Sequence, residues 1–291
     1  MTIRVLITGA AGQLGHELQR CIPEGCVVVT ADRAALDMTD ATATHRFVTR
    51  QQPNVVINAA AYTAVDRAES EADVAESVNV TAVASLARAA SDVGARVIHV
   101  STDFVFGDGP AVPRSIGEPT APLSVYGRTK RDGEAALLDV LGQRALVIRT
   151  AWLYSAHGGN FVKTMLRLMQ ERDEVRVVSD QIGSPTWANS LARVIWAAVH
   201  VPQTSGVLHW TDAGVASWYD FAVAVQEEAR ALGLLPRGIP LHPIRTSDYP
   251  TPARRPAYSV LDTSDAVRML GVTPVHWRVN LRQMLGELAH A

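Results

Sequence analysis

The sequence lacks the marks of several protein classes. No uninterrupted apolar run approaches the length of a transmembrane helix, and the first residues lead directly into a strand instead of a basic and then apolar leader segment. The formal net charge is only −2 and no basic stripe is present, which argues against a nucleic-acid partner. Only two cysteines occur, Cys21 and Cys26, and they lack the spacing of metal ligands. We therefore expect a cytoplasmic protein with free thiols and with neither a nucleic acid nor a membrane as its partner.

The first half of the chain instead shows an alternation of strand and helix patterns. With 291 residues, 47% of them hydrophobic, the chain can bury a large core. Apolar runs predict strands at Ile3–Ile7, Val27–Thr30, Val55–Ile57, Val97–Val100 and Ala145–Ile148. Helical patterns lie between these runs, near Gly12–Cys21, Ala41–Gln51, Val74–Val93 and Gly127–Leu141. The alternation predicts an α/β fold with a Rossmann-like, doubly wound parallel sheet.

The second half of the chain is less regular and contains many Pro and Gly residues. Its patterns predict a strand at Val175–Val178 followed by a helix at Ala188–Val199. A second strand at Gly206–Trp210 is followed by a helix at Trp218–Leu232. We predict that residues 1–150 form a dinucleotide-binding domain and that residues 151–291 form a smaller, interleaved C-terminal substrate domain. Elements near residues 175–210 are expected to rejoin the sheet.

A glycine-rich turn follows the first predicted strand. The segment Thr8–Gly15 places Gly9, Gly12 and Gly15 between a strand and a helix. Glycine lets the backbone approach a pyrophosphate closely, and the N–H groups and dipole of the new helix favour its negative charge. A loop that needs only flexibility would contain the same residues. The order of strand, turn and helix favours a dinucleotide site over that alternative.

Polar or small residues stand at the ends of the next two strands. Asp32 ends the second strand, where a carboxylate can bind the adenine ribose hydroxyls of NAD. Arg33 beside it can pair with the 2′-phosphate of NADP, and a solvated Asp–Arg pair is the alternative interpretation. The segment Asn58–Ala61 ends the third strand. Its small side chains would let a cofactor lie against the backbone, or would serve close packing of a helix on the sheet.

A second group of polar residues has the composition of a proton-transfer site. Ser101, Thr102 and Asp103 end the fourth strand, where open α/β sheets bind their ligands. Tyr126 and Lys130 stand at positions i and i+4 of a predicted helix and share one of its faces. An ammonium group lowers the pKa of a neighbouring phenol, so we expect Lys130 to make Tyr126 a better proton donor. Each residue alone has a structural interpretation, but together they favour a catalytic group.

These motifs resemble those of the extended short-chain dehydrogenase/reductase family. The resemblance rests on the glycine-rich turn, the Asn-Ala-Ala-Ala strand end, and Thr102 with the Tyr-x-x-x-Lys pair. Longer strings, spread over almost the whole chain, are similar to those of the dTDP-4-dehydrorhamnose reductases within that family: GQLG from Gly12, AAAYTAVD from Ala59, AESE from Ala68, STDFVF from Ser101, RTAWLY from Arg149, NFVKTML from Asn160, DQIGSPT from Asp180 and YPTPARRP from Tyr249.

The resemblance implies an enzyme that reduces a dTDP-linked keto sugar, dTDP-4-dehydro-L-rhamnose, to dTDP-L-rhamnose with NADPH or NADH. Hydride would reach C4 of the sugar, Tyr126 would protonate the resulting oxyanion with help from Lys130, and Thr102 would hydrogen-bond the C4 oxygen. The implied substrate-binding residues are Thr102, Asp103, Val105, Trp152, Asn160, Arg254 and Arg255. The implied cofactor-binding residues are Gly9, Gly12, Gln13, Leu14, Gly15, Asp32, Arg33, Asp37, Met38, Asn58, Ala60, Ala61, Tyr62, Tyr126 and Lys130.

Several alternatives stay open at this point. A nucleotide-sugar epimerase, or a reductase of another keto sugar nucleotide, would use the same Tyr–Lys pair. A cofactor-binding regulatory subunit would need no catalysis at all. A 4,6-dehydratase is disfavoured, because Phe104 stands where such enzymes have a proton-transferring Glu. Arg254 and Arg255 could neutralise a diphosphate, or they could hold carboxylates of neighbouring loops.

The resemblance also bears on metal binding and assembly. Some members of the family dimerise through Mg²⁺ held by carboxylates. Glu17 stands at one such position, but Asn189 stands at another and the sequence has no acidic tail. Asn is a poorer Mg²⁺ ligand than a carboxylate, so the expected homodimer would have no metal link. His99, His157 and His209 lack ligand spacing, and core packing or surface placement is the interpretation of each.

Overall fold

The computed structural model describes residues 2–290, which form twelve β-strands and eleven α-helices. The strands are β1 (Ile3–Thr8), β2 (Cys26–Ala31), β3 (Val55–Asn58), β4 (Arg96–Thr102), β5 (Ala145–Thr150), β6 (Leu153–Tyr154), β7 (Val175–Val178), β8 (Ile182–Gly183), β9 (Thr186–Trp187), β10 (Gly206–His209), β11 (Ala216–Ser217) and β12 (Leu241–Ile244). The helices are α1 (Gln13–Arg20), α2 (Ala41–Gln51), α3 (Val65–Ala68), α4 (Ala72–Glu76), α5 (Ala82–Asp92), α6 (Val125–Leu141), α7 (Phe161–Glu171), α8 (Ala188–Val199), α9 (Trp218–Ala231), α10 (Ser264–Leu270) and α11 (Trp277–Ala289). A π-helical turn, Ser77–Thr81, joins α4 to α5. Among residues 2–290, no helix has the length and apolar composition needed to span a bilayer.

A six-stranded parallel sheet in the order β10-β5-β4-β3-β1-β2 forms the centre of the fold. β2 lies on one side of β1, and all later strands of the sheet lie on the other side. The strand order therefore reverses between β1 and β3. In open α/β sheets the ligand crevice lies at such a switch point, outside the carboxyl ends of the strands. The predicted Rossmann-like parallel sheet is confirmed.

Helices cover both faces of this sheet. One face packs against α1 and α8, with Leu14, Leu18 and Trp196 in the buried layer. The other face packs against α2, α5 and α6, where Leu86 and Leu137 are fully buried. β3 and β5 are buried at every position. Burial on both faces explains why their sequences begin with continuous apolar runs instead of alternating ones.

The second half of the chain has a core of its own. Helices α7, α9 and α11 pack around a cluster that contains Tyr154, Phe221 and Trp277. Of the elements near residues 175–210, β10 joins the central sheet beside β5, whereas β7 pairs with β12 outside it. The expectation that the strand at Val175–Val178 rejoins the central sheet is therefore wrong. Its partner β12 lies in a part of the chain for which the sequence analysis gave no strand.

Side-chain caps set where two functional helices begin. Ser124 Oγ accepts from the N–H of Gly127 at 3.1 Å and starts α6. Asn160 Oδ1 accepts from the N–H of Lys163 at 3.1 Å and starts α7. α1 differs from both, because it follows Gly12 and no side chain within residues 2–290 caps it. Its first N–H groups are therefore left for a ligand.

Candidate active site

The glycine-rich turn lies between β1 and α1, against the carboxyl end of β3. Gly9 has a φ of +69°, and a Cβ there would lie 2.6 Å from the backbone nitrogen of Ala60. A Cβ on Gly15 would collide with the carbonyl oxygen of Gly9 and lie 2.6 Å from that of Ala10. The N–H of Gly12 donates to the Gly9 oxygen at 3.0 Å and closes the turn. This compact turn, which opens onto the free N–H groups of α1, fits a pyrophosphate.

A cavity of 300 Å³ lies beside this turn, at the carboxyl end of β2. Its lining includes His16 from α1 and Asp32 from the segment after β2. Asp32 Oδ1 accepts from the N–H of Ala35 at 2.8 Å, and the neighbouring Arg33 is exposed. One carboxylate oxygen thus shapes the turn, while the other can accept from a ligand hydroxyl. The cavity has the chemistry expected of the adenosine end of a dinucleotide.

A chain of buried hydrogen bonds runs along the carboxyl ends of β1, β3 and β4. The Thr8 hydroxyl donates to Asn58 Oδ1 at 2.8 Å, and the N–H of Ala60 donates to the same oxygen at 3.1 Å. The Asn58 amide nitrogen lies 3.0 Å from Nδ1 of His99. Nε2 of His99 in turn lies 3.3 Å from Nζ of Lys130. The strand that carries the glycine-rich turn is thereby connected to the helix that carries the Tyr–Lys pair.

Helix α6 brings Tyr126 and Lys130 to the carboxyl end of β4. Nζ of Lys130 donates to the carbonyl oxygen of Val100 at 2.8 Å. The Tyr126 ring packs edge-to-face on Phe104, with ring centroids 5.6 Å apart. The Thr102 hydroxyl lies close enough to the phenol to lower its pKa, against a larger rise caused by burial. The structure thus places all three residues at the carboxyl end of β4, with Thr102 close to the Tyr126 phenol and the Lys130 amine at the Val100 oxygen.

The pKa of Tyr126 differs from the sequence-based expectation. Burial raises it to about 12, because the phenolate would lose its water. Burial also lowers the pKa of Lys130 to about 8. The expectation of a lowered phenol pKa is therefore wrong in this structure, because desolvation dominates and the Lys130 amine donates to a backbone carbonyl. Tyr126 accordingly keeps its proton at neutral pH.

Asp103 follows Thr102 in a buried 3₁₀ turn, Asp103–Val105. Its Oδ1 accepts from the Thr102 hydroxyl at 3.1 Å, while Oδ2 has no hydrogen-bond partner among the residues that the structure describes. Burial raises the Asp103 pKa to about 6. The Ser259 hydroxyl faces the same carboxyl group and lowers its pKa, so Oδ2 is open either to that hydroxyl or to a ligand. Val105 is fully buried in a small cluster with Phe106, and its contact with the sugar pocket stays a prediction.

A larger cavity of 630 Å³ lies between the loop around Asp108 and the segment 249–258. Arg254 and Arg255 both line it. Arg254 pairs with Asp108, and Nη2 of Arg255 pairs with Asp66 Oδ2 at 2.7 Å. The hydrogen bond from Arg255 holds the Asp66 pKa below its ordinary value. Both arginines therefore hold carboxylates of the first half of the chain, and an anionic ligand in the cavity would compete for them.

An aromatic stack stands near this cavity. Trp152 is one of the two non-glycine residues of the described chain with positive φ, at +48°. Its ring stacks on Trp218 with centroids 3.5 Å apart, and a Cβ on Gly183 would lie 2.5 Å from its indole. Trp218 Nε1 donates to Oε1 of Gln181, which lines the cavity, at 3.2 Å. Backbone strain held in place by such packing is typical of functional sites.

Other residues that the resemblance implied lie at the cofactor side or in the core. Asn160 donates from Nδ2 to Gln13 Oε1 at 2.9 Å, at the start of α1, and does not line the 630 Å³ cavity. Leu14 and Met38 are buried in the layers on the two faces of the sheet. Asp37 accepts from the threonine two residues on, and these hydrogen bonds hold its pKa below the ordinary value. Asn160 therefore ties the second half of the chain to the dinucleotide turn.

Sequence reasoning missed Asn79, which holds the segment after β3 in place. Its Oδ1 accepts from the N–H of Tyr62 at 2.9 Å, and its Nδ2 donates to the Tyr62 carbonyl at 3.1 Å and to Thr129 Oγ1 at 3.1 Å. The Tyr62 hydroxyl donates to Glu71 at 2.6 Å. Asn79 lies in the π-helical turn, which α6 approaches closely at Gly133. The sequence showed only a continuous helical pattern there, so it carried no signal of this turn.

The features at the switch point fit a nicotinamide dinucleotide. The glycine-rich turn can cradle a pyrophosphate, and Asp32 faces the cavity at the adenosine end. Tyr126, Lys130 and the unpartnered oxygen of Asp103 lie at the carboxyl end of β4, which is two strands from β1. A carbonyl substrate bound there would meet both a proton donor and the reactive end of such a cofactor.

Comparison with known proteins decides the family. A sequence model described as "RmlD substrate binding domain" matches residues 3–290. The chain belongs to this family. The dTDP-4-dehydrorhamnose reductase of Escherichia coli (strain K12) is 41% identical over 294 residues, which cover 98% of each chain. The dTDP-4-dehydrorhamnose reductase of Streptomyces griseus is 42% identical over 291 residues, 98% of this chain and 94% of the relative.

Solved structures agree with membership of the RmlD family. The crystal structure of dTDP-4-dehydrorhamnose reductase from Bacillus anthracis str. Ames, in complex with NADP, matches with a TM-score of 0.92 at 35% identity, over 99% of this chain and 100% of that one. The UDP-glucose 4-epimerase of Thermus thermophilus, in complex with NAD, matches with a TM-score of 0.85 at 19% identity, over 99% and 100% of the two chains. The second likeness concerns the fold alone. The resemblance stated from the sequence motifs is confirmed.

In this member of the RmlD family, Glu17 is not free to hold a metal ion. It is fully buried and accepts from the Ser155 hydroxyl at 2.9 Å and from Asn189 Nδ2 at 3.0 Å. Within residues 2–290, no group of three or more His, Cys, Asp or Glu side chains could hold a metal. His99 and His209 are fully buried in the polar interior. The residues at Glu17 do not fit Mg²⁺, and the expected homodimer stays a prediction.

Proposed function

We propose that this chain is an NAD(P)H-dependent dTDP-4-dehydrorhamnose reductase, which reduces dTDP-4-dehydro-L-rhamnose to dTDP-L-rhamnose in dTDP-rhamnose biosynthesis. Relatives of that name align with nearly the whole chain, and a related structure contains NADP. The observation in this chain that carries the proposal is the meeting of Thr102, Tyr126 and Lys130 at the carboxyl end of β4. The glycine-rich turn at the neighbouring switch point supports the proposed cofactor.

The proposed reaction needs a donor that keeps its proton until charge develops on the sugar oxygen. Tyr126 meets this need, because burial raises its pKa to about 12. When bound, NAD(P)H supplies the hydride that reduces the sugar carbonyl. As the C4 oxygen gains charge, the Tyr126 phenol gives it a proton, and the Thr102 hydroxyl would turn from Asp103 Oδ1 to donate a hydrogen bond to it. The Lys130 ammonium then stabilises the phenolate that remains until it is reprotonated.

The diphosphate end of the sugar nucleotide would occupy the 630 Å³ cavity, whose lining includes Arg254 and Arg255 but not Thr102, Asp103 or Tyr126. The diphosphate would bind the guanidinium groups of Arg254 and Arg255. It would thereby replace their present carboxylate partners, Asp108 and Asp66. The Asp103 oxygen that lacks a partner would accept from a sugar hydroxyl. Such a hydroxyl can reach a buried carboxyl only when the rest of the sugar has displaced water from the pocket. The same contacts would therefore bind and orient the substrate.

The two halves of the chain would bind different ligands. Residues 1–150 would bind the dinucleotide and residues 151–291 would bind the sugar nucleotide, with α8 and β10 returning to the sheet. The enzyme would act in the cytoplasm, where Cys21 and Cys26 stay reduced.

The proposal is tested by incubating the purified protein with dTDP-4-dehydro-L-rhamnose and either NADPH or NADH. We expect loss of the reduced nicotinamide absorbance in proportion to product, and dTDP-L-rhamnose as the product identified by NMR. An epimerase would convert the sugar without net consumption of the cofactor. A regulatory subunit would bind the cofactor and convert nothing. Either of these outcomes would overturn the proposal.

The choice between the two cofactors is tested at Asp32 and Arg33. Replacement Asp32→Ala removes a carboxylate that can accept from the ribose hydroxyls and that repels a 2′-phosphate, so NADH affinity should fall by roughly 10-fold and NADPH affinity by less. Replacement Arg33→Ala should lower the NADPH affinity more than the NADH affinity, because a guanidinium pairs with the 2′-phosphate. Fluorescence titration of both cofactors measures the four affinities. If each variant lost as much affinity for NADH as for NADPH, these residues would have no role in cofactor selection.

A further inference from the structure

His99 stands in the middle of the buried hydrogen-bond chain, and the proposed reaction makes no use of it. It is fully buried between Asn58 of β3 and Lys130 of α6. Burial, together with the charge of Lys130, holds the pKa of His99 well below its ordinary value. The ring is therefore neutral and has a single N–H. The position of that proton determines whether Nε2 donates a hydrogen bond to the Lys130 amine or accepts one from it.

The partners of Asn58 determine the position of the His99 proton. Oδ1 of Asn58 accepts two hydrogen bonds, from the Thr8 hydroxyl at 2.8 Å and from the N–H of Ala60 at 3.1 Å. The amide nitrogen must then face Nδ1 of His99, 3.0 Å away, and donate to it. A ring nitrogen that accepts carries no proton. The proton of His99 therefore lies on Nε2.

The Nε2–H of His99 points at Nζ of Lys130, 3.3 Å away. An ammonium has three donors and no lone pair, so it cannot accept this hydrogen bond. A neutral amine can accept it and can still donate to the Val100 oxygen at 2.8 Å. Burial acts in the same direction and lowers the pKa of Lys130 to about 8. The histidine therefore faces Lys130 with a group that disfavours the charged form.

The other charged groups around the amine do not cancel this effect. Glu134, one turn further along α6, raises the Lys130 pKa, but its carboxylate is already paired with Arg149 Nη2 at 2.7 Å. Asp103 lies near the Tyr126 phenol, whose pKa it raises. Burial remains the largest influence on the amine, and it favours the uncharged form.

The composition of the chain gives a second, independent observation. Of its 27 basic residues, only Lys130 and Lys163 are lysines. The other buried cations, Arg96, Arg114 and Arg149, are arginines. A guanidinium does not lose its proton in a protein, whereas a buried amine does so readily. This arginine-rich chain thus has a lysine at the buried position that faces a histidine N–H.

We propose that His99 is a positioning residue that makes the proton of Lys130 easy to release, with Asn58 setting the direction of the hydrogen bonds. The inference rests on the proposed function, in which Lys130 supports the Tyr126 phenolate. If Lys130 releases and regains its proton readily, the Tyr126 phenolate and Lys130 can both be reprotonated between turnovers near neutral pH.

The isosteric replacement Asn58→Asp tests this proposal. A carboxylate donates nothing, so it would accept Nδ1–H from His99 and leave Nε2 free to accept from the Lys130 ammonium. In ¹⁵N spectra of the histidine rings, we expect the His99 proton on Nε2 in the wild type and on Nδ1 in the variant. The pKa of Lys130 should rise by roughly one unit in the variant. Its Cε resonance is followed by ¹³C NMR and is assigned with Lys163→Arg, because the chain contains only two lysines.

The replacement His99→Phe separates the hydrogen bond from the added charge of the aspartate. It should raise the Lys130 pKa by itself, and Asn58→Asp should then add little in the same chain, because the shared partner is gone. In turnover, the alkaline limb of kcat that loss of the Lys130 proton would produce should move to higher pH in both single variants. A purely structural defect would lower kcat at every pH and leave the limb in place.

A wild-type His99 proton on Nδ1, or a Lys130 pKa that Asn58→Asp leaves unchanged, would overturn the proposal. Neither NMR measurement needs substrate, so its failure is distinct from a failure of the proposed reductase activity. If His99→Phe does not fold, the isosteric variant still decides, because it keeps the shape of the site.

Discussion

Replacing Tyr126 by phenylalanine should lower kcat by roughly 10²- to 10⁴-fold, the range expected for the loss of general acid catalysis. The phenol is buried and stays protonated, since its pKa is about 12. The phenyl ring of the variant would keep the edge-to-face contact with Phe104, so the fold should persist. NADPH affinity should change little, because the hydroxyl acts on the sugar oxygen. Stopped-flow turnover and fluorescence titration of the cofactor measure the two effects separately.

Tyr219→Phe is the matched control for this experiment. Tyr219 is half-buried on α9, in the cluster of the second half of the chain. Removing its hydroxyl should leave kcat within about twofold, since surface or peripheral changes are usually small. If Tyr126→Phe and Tyr219→Phe had equal turnover, Tyr126 would have no part in the proton transfer.

The replacement Gly15→Ala should abolish most cofactor binding and should also destabilise the fold. The added Cβ would collide with the carbonyl oxygen of Gly9 and lie 2.6 Å from that of Ala10, and both are backbone atoms of the turn. The turn must move to relieve this overlap, which is expected to lower the free energy of unfolding by about 1–3 kcal/mol. We expect the Kd for NADPH to rise at least roughly 10-fold, because the moved turn loses its close approach to the pyrophosphate. Denaturant unfolding and cofactor titration measure the two losses.

Gly286→Ala provides the control for a glycine in a helix. A Cβ at Gly286, within α11, would meet no heavy atom within 4 Å. Alanine favours the helix over glycine, so the stability should stay equal or rise by up to about 1 kcal/mol. NADPH binding should be unchanged in this variant. Similar losses of NADPH affinity in both variants would show that the turn at Gly15 has no special role.

The first half of the fold could be predicted because it obeys simple rules. β3 and β5 are covered on both faces, so their apolar runs mark them in the sequence. The two-residue strands and β12 carry no such signal, since β12 contains Pro243 and pairs with β7 outside the central sheet. Helix α7 also went unpredicted, although Asn160 caps it and its buried face is apolar.

The composition of the candidate site could be predicted, but its electrostatics could not. The i to i+4 spacing placed Tyr126 and Lys130 on one helix face, which is a local property. Their pKa values depend on burial by β4 and its neighbours, which no local pattern reports. For His99, the sequence left core packing and surface placement both open, and the residue is buried. Its contact with Lys130 joins residues 31 positions apart, so only the folded chain reveals it.

The return of β10 to the edge of the central sheet has a consequence for the order in which the molecule forms. When β5 leaves the ribosome it is an open sheet edge, and residues 151–205 must follow before β10 can pair with it. Closing so long a loop is slow, and exposed edges invite pairing with other nascent chains. The dinucleotide half thus completes its sheet only after residues 151–209 of the other half have been synthesised. The two halves should therefore mature together during translation, not one after the other.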